Sequence, residues 1–202
     1  MRVLGLTGSI AMGKSTAARL LRRMRVPVYD ADAEIHTLLA AGGAGVAPVA
    51  AAFPGTVVRG AVDRAALGAR VFADPAALRR LEQILHPLAR AAQRAFLDRH
   101  MRARTRLVCL DVPLLFETMG ERRCDLVVVV SASATIQHQR AMARPGMTAE
   151  KLAGILARQM PDSKKRILAD VVAITALGHL PTLRALAKAA RLARTIPRRR
   201  KD

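Results

Sequence analysis

The chain has 202 residues, enough for one medium domain or a core domain carrying a smaller insertion. With 51% hydrophobic and 24% charged residues, its balance excludes an intrinsically disordered polymer. Its 34 Lys and Arg against 15 Asp and Glu give a formal net charge of +19, so anionic partners are expected: nucleotides, phosphorylated metabolites, nucleic acid or membrane surfaces.

Other features narrow that choice. Aromatic content is 2%, with no Trp, which argues against single strands bound by base stacking, and no specific nucleic-acid partner is expected. The tail Arg198-Arg199-Arg200-Lys201 reads as a solvated end. Cys109 lies in an apolar run and reads as a reduced core residue. Cys124 sits beside Arg122 and Arg123 in an expected loop; the pair forms neither a disulfide framework nor a metal motif. The uncharged stretch Thr37 to Val58 is Ala-rich and broken by Gly42, Gly43, Gly45, Pro48, Pro54 and Gly55. It is not the run of about 20 strongly apolar residues that spans a bilayer. Met1 to Thr7 is too short for a signal peptide. A soluble, cytoplasmic chain with no membrane partner is expected.

In chain order, Val3 to Thr7 reads as a buried strand. Gly8-Ser9-Ile10-Ala11-Met12-Gly13-Lys14-Ser15 then matches G-x-x-x-x-G-K-[ST], with Thr16 following. Gly8 and Gly13 permit backbone angles that a side chain disfavours. Inward-pointing amides form an anion nest, and the helix that follows adds the positive end of its dipole. Lys14 is placed to reach the β- and γ-phosphates of ATP, and the Ser15 hydroxyl to bind Mg2+. A strand before the motif and a helical run after it, Ser15 to Met24, are the context the motif requires.

Val26 to Tyr29 is the second expected strand, followed by Asp30-Ala31-Asp32. Ligands of open parallel sheets bind beyond the carboxyl ends of the strands, so both aspartates are candidates for the same crevice. A kinase acting on a hydroxyl needs a carboxylate to orient it and accept its proton. An aspartate here can equally cap the next helix, and spacing does not decide which residue does which. The long interval up to the third strand shows no strand pattern. Asp63 to Arg104 carries two helical patterns separated near Asp74-Pro75 and His86-Pro87, read as a helical insertion above the sheet edge.

Leu107 to Asp111 is the third strand. Asp111 at its end is a candidate for holding Mg2+ or substrate, with Leu114 and Glu117 of Pro113-Leu114-Leu115-Phe116-Glu117 at the same edge. Leu126 to Ser131 is the fourth strand and Val171 to Ile174 the fifth. Helices are expected over Ala134 to Arg144, Thr148 to Arg158 and Thr182 to Ala193. Arg140 and Arg144, four apart on one expected helix, share a face that could close over phosphates. Charge alone favours reading this segment, with Arg158, Lys164 and Lys165, as a solvated basic face over a lid. The five histidines form no zinc pattern. The alternation implies an α/β fold: a five-stranded parallel sheet flanked by helices, with a helical insertion.

These residues resemble the dephospho-coenzyme A kinase family, from Val3 to about Gly178. The carrying segments begin with Gly5-Leu6-Thr7-Gly8 and the phosphate loop, then Asp30-Ala31-Asp32, Val62-Asp63-Arg64, Val71-Phe72 and Leu81-Glu82 leading into His86-Pro87. They continue through Asp111-Val112-Pro113-Leu114-Leu115-Phe116-Glu117, Gln137 with Arg140 and Arg144, Gln159, and Ala169-Asp170. The resemblance implies a nucleoside-monophosphate-kinase-like core over 1–36 and 105–202, a lid over about 137–166, and a coenzyme-binding insertion over 37–104. It implies transfer of the ATP γ-phosphoryl to the ribose 3′-hydroxyl of dephospho-coenzyme A. Asp32 is then the expected base, Lys14 and Arg140 the catalytic cations, and Arg144 an assisting ATP contact. His86, Asp111, Leu114 and Glu117 border the substrate. Where the family loop commonly reads Gly-Gly-Ile-Gly-Ser-Gly-Lys-Ser, this chain has Ser9, Ala11 and Met12. Where the family often has Asn three residues before a Gly, this chain has Thr175 and contains no Asn.

A different small-molecule or nucleotide kinase on the same fold is the nearest rival, and the Pro-Leu-Leu-Phe-Glu and His-Pro segments count against it. A GTPase needs Asn to read guanine, which this chain lacks.

Overall fold

The computed structural model describes residues 1–71 and 74–196. Phe72 and the tail Arg198 to Lys201 lie outside the described residues. Two compact units are present. One comprises Met1–Tyr29 and the chain from His100 onward; the other is Asp30–Arg99.

The first unit is built on a parallel sheet of order β2-β5-β1-β6-β7. Its strands are β1 (Arg2–Thr7), β2 (Val28–Asp30), β5 (Leu107–Asp111), β6 (Leu126–Ser131) and β7 (Val171–Ile174). All residues of β5 and β6 are buried, which is why they read as unbroken apolar runs rather than alternating ones. β1 lies at the centre, paired with β5 on one side and β6 on the other. Parallel pairing gathers every carboxyl end at one edge. Buried polar side chains collect there: Thr7, Asp111, Ser131 and Thr175.

Helix α1 (Lys14–Arg23) buries Ala17, Ala18, Leu20 and Leu21 against the sheet. It ends with Arg25 in a left-handed conformation (φ 57°), where Val26 N–H bonds Leu21 O and Arg25 N–H bonds Arg22 O. This is a Schellman closure made without glycine. Helices α6 (Ala134–Met142), α7 (Ala149–Ala157) and α8 (Asp162–Leu168) lie between β6 and β7, and α9 (His179–Thr195) packs Leu186, Ala189, Ala190 and Ala193 into the same core. The expected helix over Ala134 to Arg144 stops at Met142, so Arg144 is not on it. Pro145 explains the stop, because the residue before a proline is driven out of the α region. Cys124, expected in a loop, is fully buried beside a 3-10 turn (Gly120–Arg123).

The second unit holds α2 (Ala31–Leu39), α3 (Val46–Ala52), the strand pair β3 (Val57–Val58) and β4 (Ala61–Val62), α4 (Arg64–Val71) and most of α5 (Pro75–Arg102). The β3–β4 hairpin corrects the expectation of a strand-free insertion; two residues per strand are too few to give an alternating pattern. The expected break at His86-Pro87 is also absent, since α5 runs through Pro87. An interior proline costs a helix about 3 kcal/mol. Here the row Leu78, Leu81, Ile84 and Leu85 packs on Val49, Phe53, Leu67 and Val71, and that burial anchors the helix on the N-terminal side of the proline. Among the described residues no helix is long and apolar enough to cross a membrane.

Candidate active site

The loop between β1 and α1 carries the phosphate motif at the centre of the carboxyl edge. Gly8 sits so close to β6 that an added Cβ would stand 2.4 Å from Val130 Cγ2 and 2.7 Å from the Val130 carbonyl oxygen. Gly13 has φ 90° and caps α1. Ala11 also has a positive φ, 61°, although it carries a side chain. That conformation costs a non-glycine residue about 1–2 kcal/mol. The Ala11 methyl is buried against Ala141 and Leu152, with Ile10 and Met147 around it. Met12 is buried in the core, where its sulfur accepts the Ala132 N–H at 3.1 Å. Ser9 is buried, Ser15 exposed and Thr16 half-buried.

The Lys14 ammonium lies 2.8 Å from Asp111 Oδ1. Asp111 is 1% exposed, so this charge is stabilised by its partner rather than by water. Two residues on, the Pro113 carbonyl accepts from Thr7 Oγ1 (2.9 Å) and from Lys165 Nζ (3.2 Å). Lys165 is completely buried and pairs with Glu117 Oε1 at 3.0 Å. The same oxygen accepts the Met160 N–H at 2.7 Å. Lys165 is therefore not part of a solvated basic face, and Glu117 secures the segment between α7 and α8. Leu114 is partly exposed beside them.

Arg140 projects from α6 to Thr175, donating to its hydroxyl (2.9 Å) and its carbonyl (3.1 Å). The Thr175 hydroxyl in turn donates to the Met12 carbonyl (2.8 Å). The residue at the expected Asn position thus joins Arg140 to the back of the phosphate loop. Arg144, beyond the helix end, is exposed. Gln137 Nε2 donates to Ile10 O (2.9 Å), and Ile10 N–H donates to Gln159 Oε1 (3.0 Å).

In the second unit Asp30 is the N-cap of α2, its carboxylate accepting the Ala33 N–H at 3.1 Å. Asp32 lies in the first turn of that helix. The two aspartates are thus divided as the sequence left open: the cap is Asp30. His86 is exposed in mid-α5 rather than at a helix break.

Sequence reasoning assigned no role to Gln137, Gln159, Thr7 or Lys165. Thr7 had one available signal, a polar residue closing an otherwise apolar strand. The others act through partners about fifty residues away or, for the glutamines, more than a hundred.

A family model described as dephospho-CoA kinase matches residues 2–176. The chain belongs to the dephospho-CoA kinase family. A protein named dephospho-CoA kinase from Rhodospirillum rubrum is 57% identical over 199 residues, covering 98% of this chain and 94% of its own length. One of the same name from Paramagnetospirillum magneticum is 68% identical over 166 residues, 82% of this chain and 78% of its own. Among solved structures, a Thermus thermophilus protein superposes with a TM-score of 0.81 at 36% identity, over 97% of this chain and 98% of its own. A dephospho-CoA kinase from Campylobacter jejuni, at 20% identity and a TM-score of 0.66, shares the fold. The chain is a P-loop kinase of this family, and its loop departures, Ser9, Ala11 and Met12, are accommodated by burial of all three side chains.

Proposed function

We propose that this enzyme transfers the γ-phosphoryl group of ATP to the ribose 3′-hydroxyl of dephospho-coenzyme A, the last step of coenzyme A synthesis. The observation that carries the reading is an intact phosphate loop with Lys14 held at 2.8 Å by Asp111, in a chain that is 57% identical over nearly its whole length to a dephospho-CoA kinase. The 3′-oxygen attacks the γ-phosphorus, the bond from that phosphorus to the bridging oxygen breaks, and ADP leaves. The hydroxyl proton passes to the Asp32 carboxylate. Lys14 neutralises charge on the β- and γ-phosphates, and the loop amides with Thr16 hold them. Arg140 moves from Thr175 to the phosphates when ATP binds, and the exposed Arg144, just past the end of α6, assists it.

The exposed Ser15 hydroxyl and the Asp111 carboxylate are hard oxygen donors, which suit Mg2+. When bound, Mg2+ offsets negative charge on the phosphates. We assign the unit Asp30–Arg99, with His86 and α5, to the coenzyme, and the segment 137–166 to a lid. Leu114 and Glu117 border the substrate, Glu117 chiefly by holding Lys165. The cytoplasm is the assigned compartment.

The test is purified protein with Mg-ATP and dephospho-coenzyme A, following ADP and coenzyme A by chromatography and mass, beside Lys14→Ala and Asp32→Asn. Stoichiometric coenzyme A from the wild type, with both variants slower by orders of magnitude, is the expected result. Equal product from Asp32→Asn would remove Asp32 as the base. No product with ATP still bound would overturn the acceptor.

A further inference from the structure

We propose that Gln137 and Gln159 are positioning residues of the phosphate site: they clamp the two peptide units that meet at Ile10 and thereby set the direction of the Ala11 N–H. The inference rests on the reading of Gly8 to Ser15 as the ATP phosphate loop and extends it to residues that touch no substrate.

The clamp is a matched pair. Ile10 N–H can only donate, and it meets Gln159 Oε1 at 3.0 Å. Ile10 C=O can only accept, and it meets Gln137 Nε2 at 2.9 Å. The backbone therefore fixes which way each side-chain amide faces. Gln137 lies on α6 and is 8% exposed; Gln159 follows α7. Both belong to the segment whose Ala141 and Leu152 pack on Ala11.

The consequence follows from peptide geometry. The Ile10 carbonyl and the Ala11 N–H share one planar trans unit and point in opposite directions. Holding the carbonyl on Gln137 turns the Ala11 N–H the other way. A nest needs its central residues in alternating right- and left-handed conformations. Ala11 supplies the left-handed one with φ 61°, which its methyl disfavours. A loop left to itself would relieve that by rotating the Ile10–Ala11 peptide, and the rotation would carry the Ala11 N–H off its bearing. The two amide bonds oppose it. A glycine at this position would need the clamp less, so the dependence follows from Ala11. Arg140 lies on α6 with Gln137, so displacement of α6 releases the loop peptide and withdraws the arginine together.

The experiment measures Mg-ATP affinity by equilibrium dialysis in Gln137→Met and Gln159→Met, which keep side-chain length and remove the amide. Each is expected to bind roughly three- to tenfold more weakly, the scale of one neutral hydrogen bond, with kcat at saturating ATP within about twofold of wild type. Amide hydrogen exchange in the ligand-free protein is the second readout. Ile10 N–H should lose protection in Gln159→Met and keep it in Gln159→Glu, which still offers an acceptor. Gln137→Glu places an acceptor against a carbonyl and should bind ATP no better than Gln137→Met. Adding Ala11→Gly should shrink the Gln137→Met effect to below about twofold. Wild-type affinity in both methionine variants, or in Gln137→Glu, would overturn the clamp, as would unchanged Ile10 exchange in Gln159→Met. Wild type and Lys14→Ala run alongside. If wild type itself fails to bind Mg-ATP, the phosphate-loop reading falls and the clamp with it. If wild type binds, Lys14→Ala does not, and the glutamine variants bind normally, the clamp alone falls.

Discussion

Replacing Lys165 by methionine should destabilise the protein far more than an ordinary lysine substitution. Lys165 is fully buried, and its ammonium lies 3.0 Å from Glu117 Oε1 and 3.2 Å from Pro113 O. The methionine retains the apolar stem but leaves Glu117 with the Met160 N–H as a remaining donor. Removing one partner of a buried pair costs about 3–5 kcal/mol, mostly because the other charge stays desolvated. Glu117 retains 18% side-chain exposure, but its Oε2 is buried with no hydrogen-bond partner among the described residues, so water recovers little and the full range of about 3–5 kcal/mol is expected. Urea denaturation followed by circular dichroism reads the loss as a lower midpoint at unchanged slope. The double variant Lys165→Met, Glu117→Leu removes both charges and should recover more than half of the deficit. A single-variant loss below about 1 kcal/mol, or strict additivity in the double, would refute the reasoning, because it would mean that neither charge depends on the other.

Three further outcomes are expected. Asp30→Ala should cost about 1 kcal/mol through loss of the α2 cap while Asp32→Asn leaves stability within about 0.5 kcal/mol, a separation readable in the same urea titrations. Gly8→Ala should cost about 1–3 kcal/mol and abolish ATP binding, since the new methyl meets the Val130 backbone, which cannot swing aside as a side-chain end can; normal dialysis affinity would contradict this. Burial, with the Asp111 carboxylate second, pushes the Cys109 thiol well up. The unfolded chain therefore loses this proton first, so the stability it contributes is complete below a thiol pKa of about 8.5 and declines above it. The urea midpoint should fall between about pH 8 and 10, and less so in Cys109→Val.

What was legible in the sequence was what a short window contains. The loop motif is a local contract between glycines, a lysine and a hydroxyl, and β5, β6 and β7 are continuous apolar runs whose ends coincide with the expected ones. Asp30 and Asp32 were both visible, but only backbone geometry shows that Asp30 spends its carboxylate on Ala33 N–H. Pro87 read as a helix end because the proline rule is local, whereas α5 is anchored up to that point by Leu78-to-Leu85 packing on Val49 and Phe53, far earlier in the chain, and runs on past it. Lys165 read as solvated for the same reason: charge is visible in one dimension, and its partners Glu117 and Pro113 are not.

The departures from the usual family loop sharpen that point. Ala11 in place of glycine looks in sequence like a tolerated change at a variable position. In the structure it is a left-handed alanine, whose methyl is covered by Ala141 and Leu152 and whose neighbouring peptide is gripped by Gln137. Thr175 in place of asparagine looks like the loss of a contact. In the structure its hydroxyl links the Met12 carbonyl to the Arg140 guanidinium, directly beneath Gly13. The Ala11 methyl packs between the loop and the segment that carries Arg140, while the Thr175 side chain lies against Gly13 and its hydroxyl accepts from Arg140. The loop of this chain is therefore held from outside by side chains as well as from inside by its own glycines, and its phosphate-binding shape depends on α6 and β7 as much as on the eight residues of the motif.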